Sequence, residues 1–424
     1  MMEAFRFIHT SQLRLDQQLS GLRRWDGLDR RSLRDCTLTA FSRVVDACIT
    51  HTVDLLLITV DCWPEDGRSV RGAYAFQQAC QRLLTAGIPV CVVVNDLGDF
   101  EEGLCGLKLP RGVSVLSCGR PQEVVVSGPH GRRARLRTVV DSMETSEADP
   151  IRPVPESSVE PFRGMGIGIS CAVDRLLVSD TPFSVVGGAP FDPHLDYIAP
   201  VHPGPQRTLM LGNNTVHSPG PAQGLSPKES GSCGCTLVEW NAGDEPVLTH
   251  LPVAPFCWEQ WAVELNAQST PESLQREMLG VVRKHIAEFG DATCLVRWNL
   301  IATGWSDRVE MTSAAINRLM DGVDTAARRE GIHLVTQSVL SLPAADDEAS
   351  SDDSLWNEFE KSLSSRFSSS RDGVSSLASP VASRLELDRV DFEHAVALLS
   401  PVRVANEALA AGQKWLVRTE AIDA

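Results

Sequence analysis

The sequence predicts an α/β fold on three observations. Short apolar runs of strand length alternate with segments of helical period, the buried-looking runs stop abruptly on polar residues, and a second strand–helix alternation follows the first. Phe5-Arg6-Phe7-Ile8-His9 reads as the opening strand. Residues 30–52 carry Leu33, Leu38, Phe41, Val44, Val45, Cys48 and Ile49 at helical spacing. Leu55 to Val60 is a continuous apolar run ending at Asp61, and Ile88 to Val94 is another, ending at Asn95-Asp96. Residues 73–86 between them read as a helix that stops at Gly87. In open α/β sheets chemistry collects beyond the carboxyl ends of the strands, where Asp61 and Asn95 fall.

Further strand-like runs lie at 166–173, 183–187, 207–212 and 235–240, after a polar, Pro-rich loop at 141–163. An alternating strand at 258–265, a helix at 272–288, a strand at 293–301 and a helix at 312–330 make a small accessory α/β unit. The predicted domains are therefore 1–245, 246–343, an acidic and Ser-rich linker at 344–385, and a helical segment at 386–424. The last contains an amphipathic stretch with Phe392, Ala395, Val396, Leu399, Val404, Leu409 and Trp415.

Composition narrows the function classes. The formal net charge of −16 argues against a broad non-specific grip on nucleic acid, which needs excess Lys and Arg. The basic run Arg132, Arg133, Arg135 and Arg137 follows the turn signal Gly128-Pro129-His130-Gly131, so it reads as a solvated hairpin face, with a phosphate contact as the alternative. No run is long and apolar enough for a membrane helix, and the start has no signal-peptide pattern, so the chain is expected to be cytoplasmic. The 12 cysteines are scattered without CxxC spacing and read as reduced core thiols; Cys233 and Cys235 form only a CxC.

Five blocks, in order, carry a resemblance. Phe7-Ile8-His9-Thr10-Ser11-Gln12-Leu13-Arg14-Leu15-Asp16 resembles F-I-H-T-A-D-L-H-L-D. Val53 to Asp61 resembles V-D-x-x-x-I-A-G-D. Ala86-Gly87-Ile88-Pro89-Val90 leads to Asn95 as A-G-I-P-V leads to G-N-H-D. Asp196-Tyr197-Ile198-Ala199-Pro200-Val201-His202-Pro203-Gly204 resembles D-Y-x-A-L-G-H-x-H. Ser218-Pro219-Gly220-Pro221-Ala222-Gln223-Gly224, continuing through Glu229 to Val238, resembles Y-P-G-x-x-Q-G and E-x-G-x-x-G-x-x-L-V. Over residues 5–240 the chain thus resembles calcineurin-like metallophosphoesterases of the bacterial DNA-repair exonuclease branch. The resemblance implies a β-sandwich flanked by helices, with two metal ions roughly 3.5–4 Å apart that clamp a phosphate and activate a water.

The family's ligands do not all carry over. The aspartate and histidine of D-x-H fall on Gln12 and Arg14, an uncharged weak ligand and a permanent cation. The aspartate of G-D is Asp61, and the asparagine of G-N-H is Asn95, but its catalytic histidine is Asp96. A later histidine falls near Ser170. In G-H-x-H the first histidine is His202 and the second is Gly204. What survives is one partial site of Asp61, Asn95 and His202, so the resemblance implies no ion or one weakly held manganese-like ion in place of two. Arg14 is expected beside Asp61, in the place of the first ion. The bland readings stand alongside: Asp61 and Asn95 suit helix or turn caps, His202 suits an ordinary proline-flanked loop, and His9 suits a strand core. His194 and His217 are the substitute ligands to look for.

The expected function is that of a pseudoenzyme, a degenerate binding or scaffold subunit related to exonuclease-like DNA-repair subunits. Through the resemblance its expected partner is an ABC-type coiled-coil ATPase, with a homodimer and nucleic-acid contact as further possibilities. The alternative is an active phosphodiesterase or DNA exonuclease with one metal or a rearranged site.

Overall fold

A computed structural model of the chain describes residues 4–22, 28–64, 68–118, 120–139, 162–170, 195–201, 203–265, 269–285, 291–302 and 313–341. The predicted strand at 183–187, His194, His202, the Ser-rich linker and the C-terminal amphipathic segment lie outside these residues. Residues Met1–Ser341 make one compact unit.

Two six-stranded sheets face each other. The first runs β12(Val247–Pro252), β11(Gly234–Trp240), β1(Phe5–Ser11), β2(Leu55–Thr59), β3(Val90–Val94), β4(Val113–Ser117). The second runs β5(Glu123–Ser127), β6(Arg133–Val139), β7(Met165–Ser170), β8(Tyr197–Pro200), β10(Asn214–Ser218), β9(Arg207–Leu211). Strands β1 to β4 are parallel, with Ser11 opposite Thr59 and Thr59 opposite Val93, so the residues after them emerge along one edge.

Alternation along β1 divides the core. Phe5 and Phe7 point between the sheets with Leu55, Leu57, Cys91 and Val93, and meet Leu136, Ile167, Tyr197 and Ala199 of the second sheet. Ile8 points the other way with Leu56, Ile58, Val90 and Val92, against Phe41, Val44, Val45, Phe76 and Leu83 of the helices. Each such fully buried large side chain contributes about 1.5–3 kcal/mol from burial alone.

The helices follow from local signals. Residues 30–52 are two helices, α1(Arg30–Arg34) and α2(Cys36–Thr50), rather than one. Asp29 caps the first through Arg31 N and Ser32 N, and Asp35 at the junction leaves the helical conformation. Helix α3(Val70–Thr85) starts on Ser69, whose side chain accepts from Gly72 N, and is followed by Gly87 at φ +76°. A short helix α4(Leu97–Gly103) follows β3. The predicted hairpin forms, with β5 and β6 antiparallel about Gly128–Gly131.

The accessory unit is a three-stranded parallel sheet of β13(Phe256–Leu265), β14(Thr293–Ala302) and β15(Leu334–Ser341), with α5(Pro271–His285) and α6(Ser313–Arg329) packed on one face. Its opposite face is covered in part by the first unit, where Phe256, Trp258, Leu295 and Val335 meet Leu19, Leu33, Cys36 and Leu225. Among the described residues no helix is long and apolar enough to cross a membrane. Among the same residues no cysteine is in a disulfide, and nearly all are buried. Burial pushes the thiols of Cys36, Cys80, Cys91, Cys233 and Cys235 up to about 12, which leaves them protonated and unreactive.

Candidate functional site

The turns that follow β1 and β2 are unusual in their backbone. Gln12, Arg14 and Asp16 after β1, and Val60 and Asp61 after β2, all have left-handed φ, from +40° to +76°. They are five of the seven non-glycine residues with positive φ among the described residues, and Val60 is β-branched, for which this conformation is a genuine outlier. Strain of this kind gathers at functional sites and persists only when the surroundings impose it. The two turns are stitched together by main-chain bonds, Arg14 N donating to Asp61 O at 2.8 Å and Leu15 N to Cys62 O at 3.0 Å.

Asp61 and Asn95 are both exposed, one just after β2 and one just after the adjacent β3. Asp96, at the position where the resemblance puts a catalytic histidine, caps α4 by accepting from Asp99 N at 2.9 Å. Its role in the structure is therefore the bland one. Ser170 ends β7 and is buried, with Val201 N donating to its carbonyl at 3.2 Å, which brings the β7 and β8 exits together. His202 lies outside the described residues.

Gln12 and Arg14 are buried, and their side chains are committed. Gln12 Nε2 donates to Gly204 O at 2.8 Å, which joins the turn after β1 to the loop after β8. Against the expectation that Arg14 places its guanidinium with Asp61, it meets Asp61 through its main chain, and the partner of the guanidinium is Glu229. Its guanidinium grips Glu229, Nη1 to Oε1 at 2.7 Å and Nη2 to Oε2 at 2.9 Å, and Nη2 also reaches Gln223 O at 3.1 Å. Both oxygens of one carboxylate meet the planar fork, and that carboxylate is supplied from 215 residues away. Asp16 is held in turn by Ser69 Oγ at 2.5 Å and by Arg71, which also bonds Asp35. Burial raises the Asp16 carboxyl, but the hydrogen bonds from Arg71 and Ser69 and the nearby Arg71 and Arg34 charges outweigh it and hold the group below its ordinary range.

His217 does not join these strand ends as a substitute ligand. It lies between the sheets with both ring nitrogens used, Nδ1 with Thr208 Oγ1 and Nε2 with Thr236 Oγ1, each at 2.8 Å. His9 lies beneath the strand ends, bonded to Tyr197 Oη at 2.8 Å and Thr59 Oγ1 at 3.0 Å. Burial, and then the neighbouring His217, push His9 well below the usual histidine range; burial, and then His250, lower His217 to about 4. Both are neutral core histidines.

The residue set does not fit a two-metal centre. Gln12 presents its amide nitrogen to Gly204 O, Arg14 is a cation bound elsewhere, and Gly204 has no side chain. Among the described residues no three His, Cys, Asp or Glu side chains come together as a metal cage. Sequence reasoning placed Gln12, Asp61, Asn95 and Gly204 at one edge of the fold. It read Gln223-Gly224 only as a tight turn and gave no role to Glu229 or Asp16, although Glu229 heads one of the motif blocks.

A two-sheet α/β sandwich with its candidate site at parallel strand ends defines the class. No family model matches the chain. It is 22% identical over 260 residues to an uncharacterized metallophosphoesterase, YhaO, of Bacillus subtilis (strain 168), a match covering 58% of this chain and 59% of that protein. The chain thus spans about three fifths of the length of that curated relative. A solved structure, TT1561 of Thermus thermophilus, aligns with 58% of this chain and 99% of its own at 10% identity and a TM-score of 0.30. The sequence similarity points to the metallophosphoesterase superfamily.

Proposed function

We propose that this chain is a degenerate metallophosphoesterase-like protein that no longer hydrolyses phosphoesters and serves as a binding or scaffold subunit. The observation that carries the reading is the commitment of Gln12 and Arg14 to Gly204 O and Glu229. A guanidinium offers no coordination position and cannot activate water. At most one divalent ion, weakly held by Asp61, Asn95 and His202, belongs to this reading. The proposed partner is a coiled-coil ATPase of the ABC type, engaged through residues 386–424; a homodimer is the second proposed assembly, and a DNA-repair setting follows from the sequence motifs alone.

The reading is tested by assaying the chain, with manganese present, against a generic phosphodiester and linear DNA, beside Asp61→Ala. No cleavage above that control is expected, and capture of an ATPase should need residues 386–424. Asp61-dependent cleavage would overturn it. One observation favours the second reading, a one-ion phosphodiesterase: Asp61 is exposed on left-handed backbone, strain of the kind that gathers at functional sites, and Asn95 is exposed after β3.

A further inference from the structure

We infer that the Arg14–Glu229 ion pair is an internal clamp that holds the strained strand-end turns in place without any metal ion. Five left-handed residues, Gln12, Arg14, Asp16, Val60 and Asp61, need a framework that imposes their conformation. The main-chain bonds from Arg14 N to Asp61 O and from Leu15 N to Cys62 O tie the two turns only to each other. Val60 N to Val93 O and Asp16 N to Thr37 Oγ1 tie them to β3 and α2, and three side chains add further ties: Gln12 to Gly204, Asp16 to Ser69 and Arg71, and Arg14 to Glu229.

Arg14 reaches furthest. Glu229 Oε2 also accepts from Leu225 N at 2.6 Å, so the carboxylate fixes its own loop while it holds the arginine. Gln223, whose carbonyl takes the third bond from Arg14, donates through Nε2 to Phe256 O at 2.8 Å and accepts from Phe256 N at 3.3 Å. Gly231 N then bonds Trp258 O at 2.9 Å. A continuous path runs from the turn after β1, through residues 223–231, to the first strand of the accessory sheet. The pair is largely removed from water, with side-chain exposures of 9% for Arg14 and 25% for Glu229, so each charge depends on the other. Two positions that the resemblance makes metal ligands, 12 and 14, carry side chains that make these bonds.

In this form the clamp presupposes the degenerate site proposed above, and the two fail differently. The experiment measures thermal midpoints of the full chain in manganese and in EDTA for the wild type, Arg14→Met, Glu229→Gln and the double variant. The wild-type midpoint should be the same in both buffers. Arg14→Met should lower it by about 5 °C or more. Glu229→Gln keeps an acceptor for Leu225 N, removes the charge and turns the other acceptor, which faces Arg14, into a donor. It should lower the midpoint in the wild type and raise it in the Arg14→Met background, where the carboxylate has lost its counter-charge. Should Arg14→Met fail to fold, Arg14→Gln, which also removes the charge and keeps polar atoms in the same place, takes its place with the same sign reversal expected. Additive losses in the double variant would overturn the clamp whatever the hydrolysis assay shows. A wild-type midpoint that falls in EDTA would overturn it as well, by assigning the holding role to an ion.

Discussion

The strand-end row divides into two halves of opposite character. On one side Gln12 and Arg14 are buried and bonded to Gly204 and Glu229; on the other Asp61 and Asn95 are exposed. Asp61 shares its strained backbone with the β1 half, stitched by Arg14 N to Asp61 O, but the two halves have different tasks. A buried side chain bonded to protein partners contributes to stability. A side chain held in water at a strand end contributes little stability and remains accessible to a ligand. The contrast assigns structure to the β1 half and whatever binding the site retains to the β2–β3 half.

The largest expected effect breaks the committed half. Arg14→Met leaves Glu229 partly buried without its counter-charge and should cost roughly 3 kcal/mol, read from urea unfolding of the full chain. A change below about 1 kcal/mol would place Arg14 with the exposed half.

Next is pH, which tests the core beneath both halves. His9 and His217 have folded-state pKa values depressed below the unfolded value, so the unfolded chain binds protons more readily. Their contribution is fully present above about pH 6.5 and is lost as pH falls toward about 4, the value His217 reaches. Urea midpoints should fall between pH 7 and pH 5, and His217→Asn should flatten that fall. A pH-independent midpoint over this window would show that the histidines are not buried in their neutral form.

Gln12→Ala removes one hydrogen bond to Gly204 O and should cost about 1 kcal/mol, measured in the same way. Asn95→Ala, on the exposed half, should stay within about 0.5 kcal/mol of the wild type. If Asn95→Ala proved the more damaging of the two, the division between the halves would be wrong.

Much of this architecture was legible in the sequence, for reasons that identify what was not. The apolar runs ending at Asp61 and Asn95 announce β2 and β3 because strands buried on both faces need uninterrupted apolar side chains. Strand β10, Asn214-Thr215-Val216-His217-Ser218, carries no such run; its polar side chains are satisfied by Leu195 O, Thr208 and Thr236, partners that exist only once the sheet forms. Strand β12 is a half-exposed edge ending in Pro252 and gives a faint pattern. The single helix read over 30–52 is two because Asp35 interrupts it, although the apolar period runs through.

At the site, the replacements at 12, 14, 96 and 204 were visible as residue types. The partner of Arg14 was not, because nothing local links Arg14 to a glutamate 215 positions later, and a guanidinium pairs with whichever carboxylate the fold presents in the right plane. Left-handed φ at Val60 was equally hidden, since the residue type argues against it.

The central claim, that protein side chains have replaced a two-ion centre, is tested most directly by counting ions. The chain, purified with manganese present and freed of loosely bound metal, would be analysed for manganese per chain. Fewer than one ion per chain is expected, from the residual set of Asp61, Asn95 and His202 alone, and Asp61→Ala should abolish even that. Two ions per chain, retained with Arg14 and Glu229 intact, would contradict it.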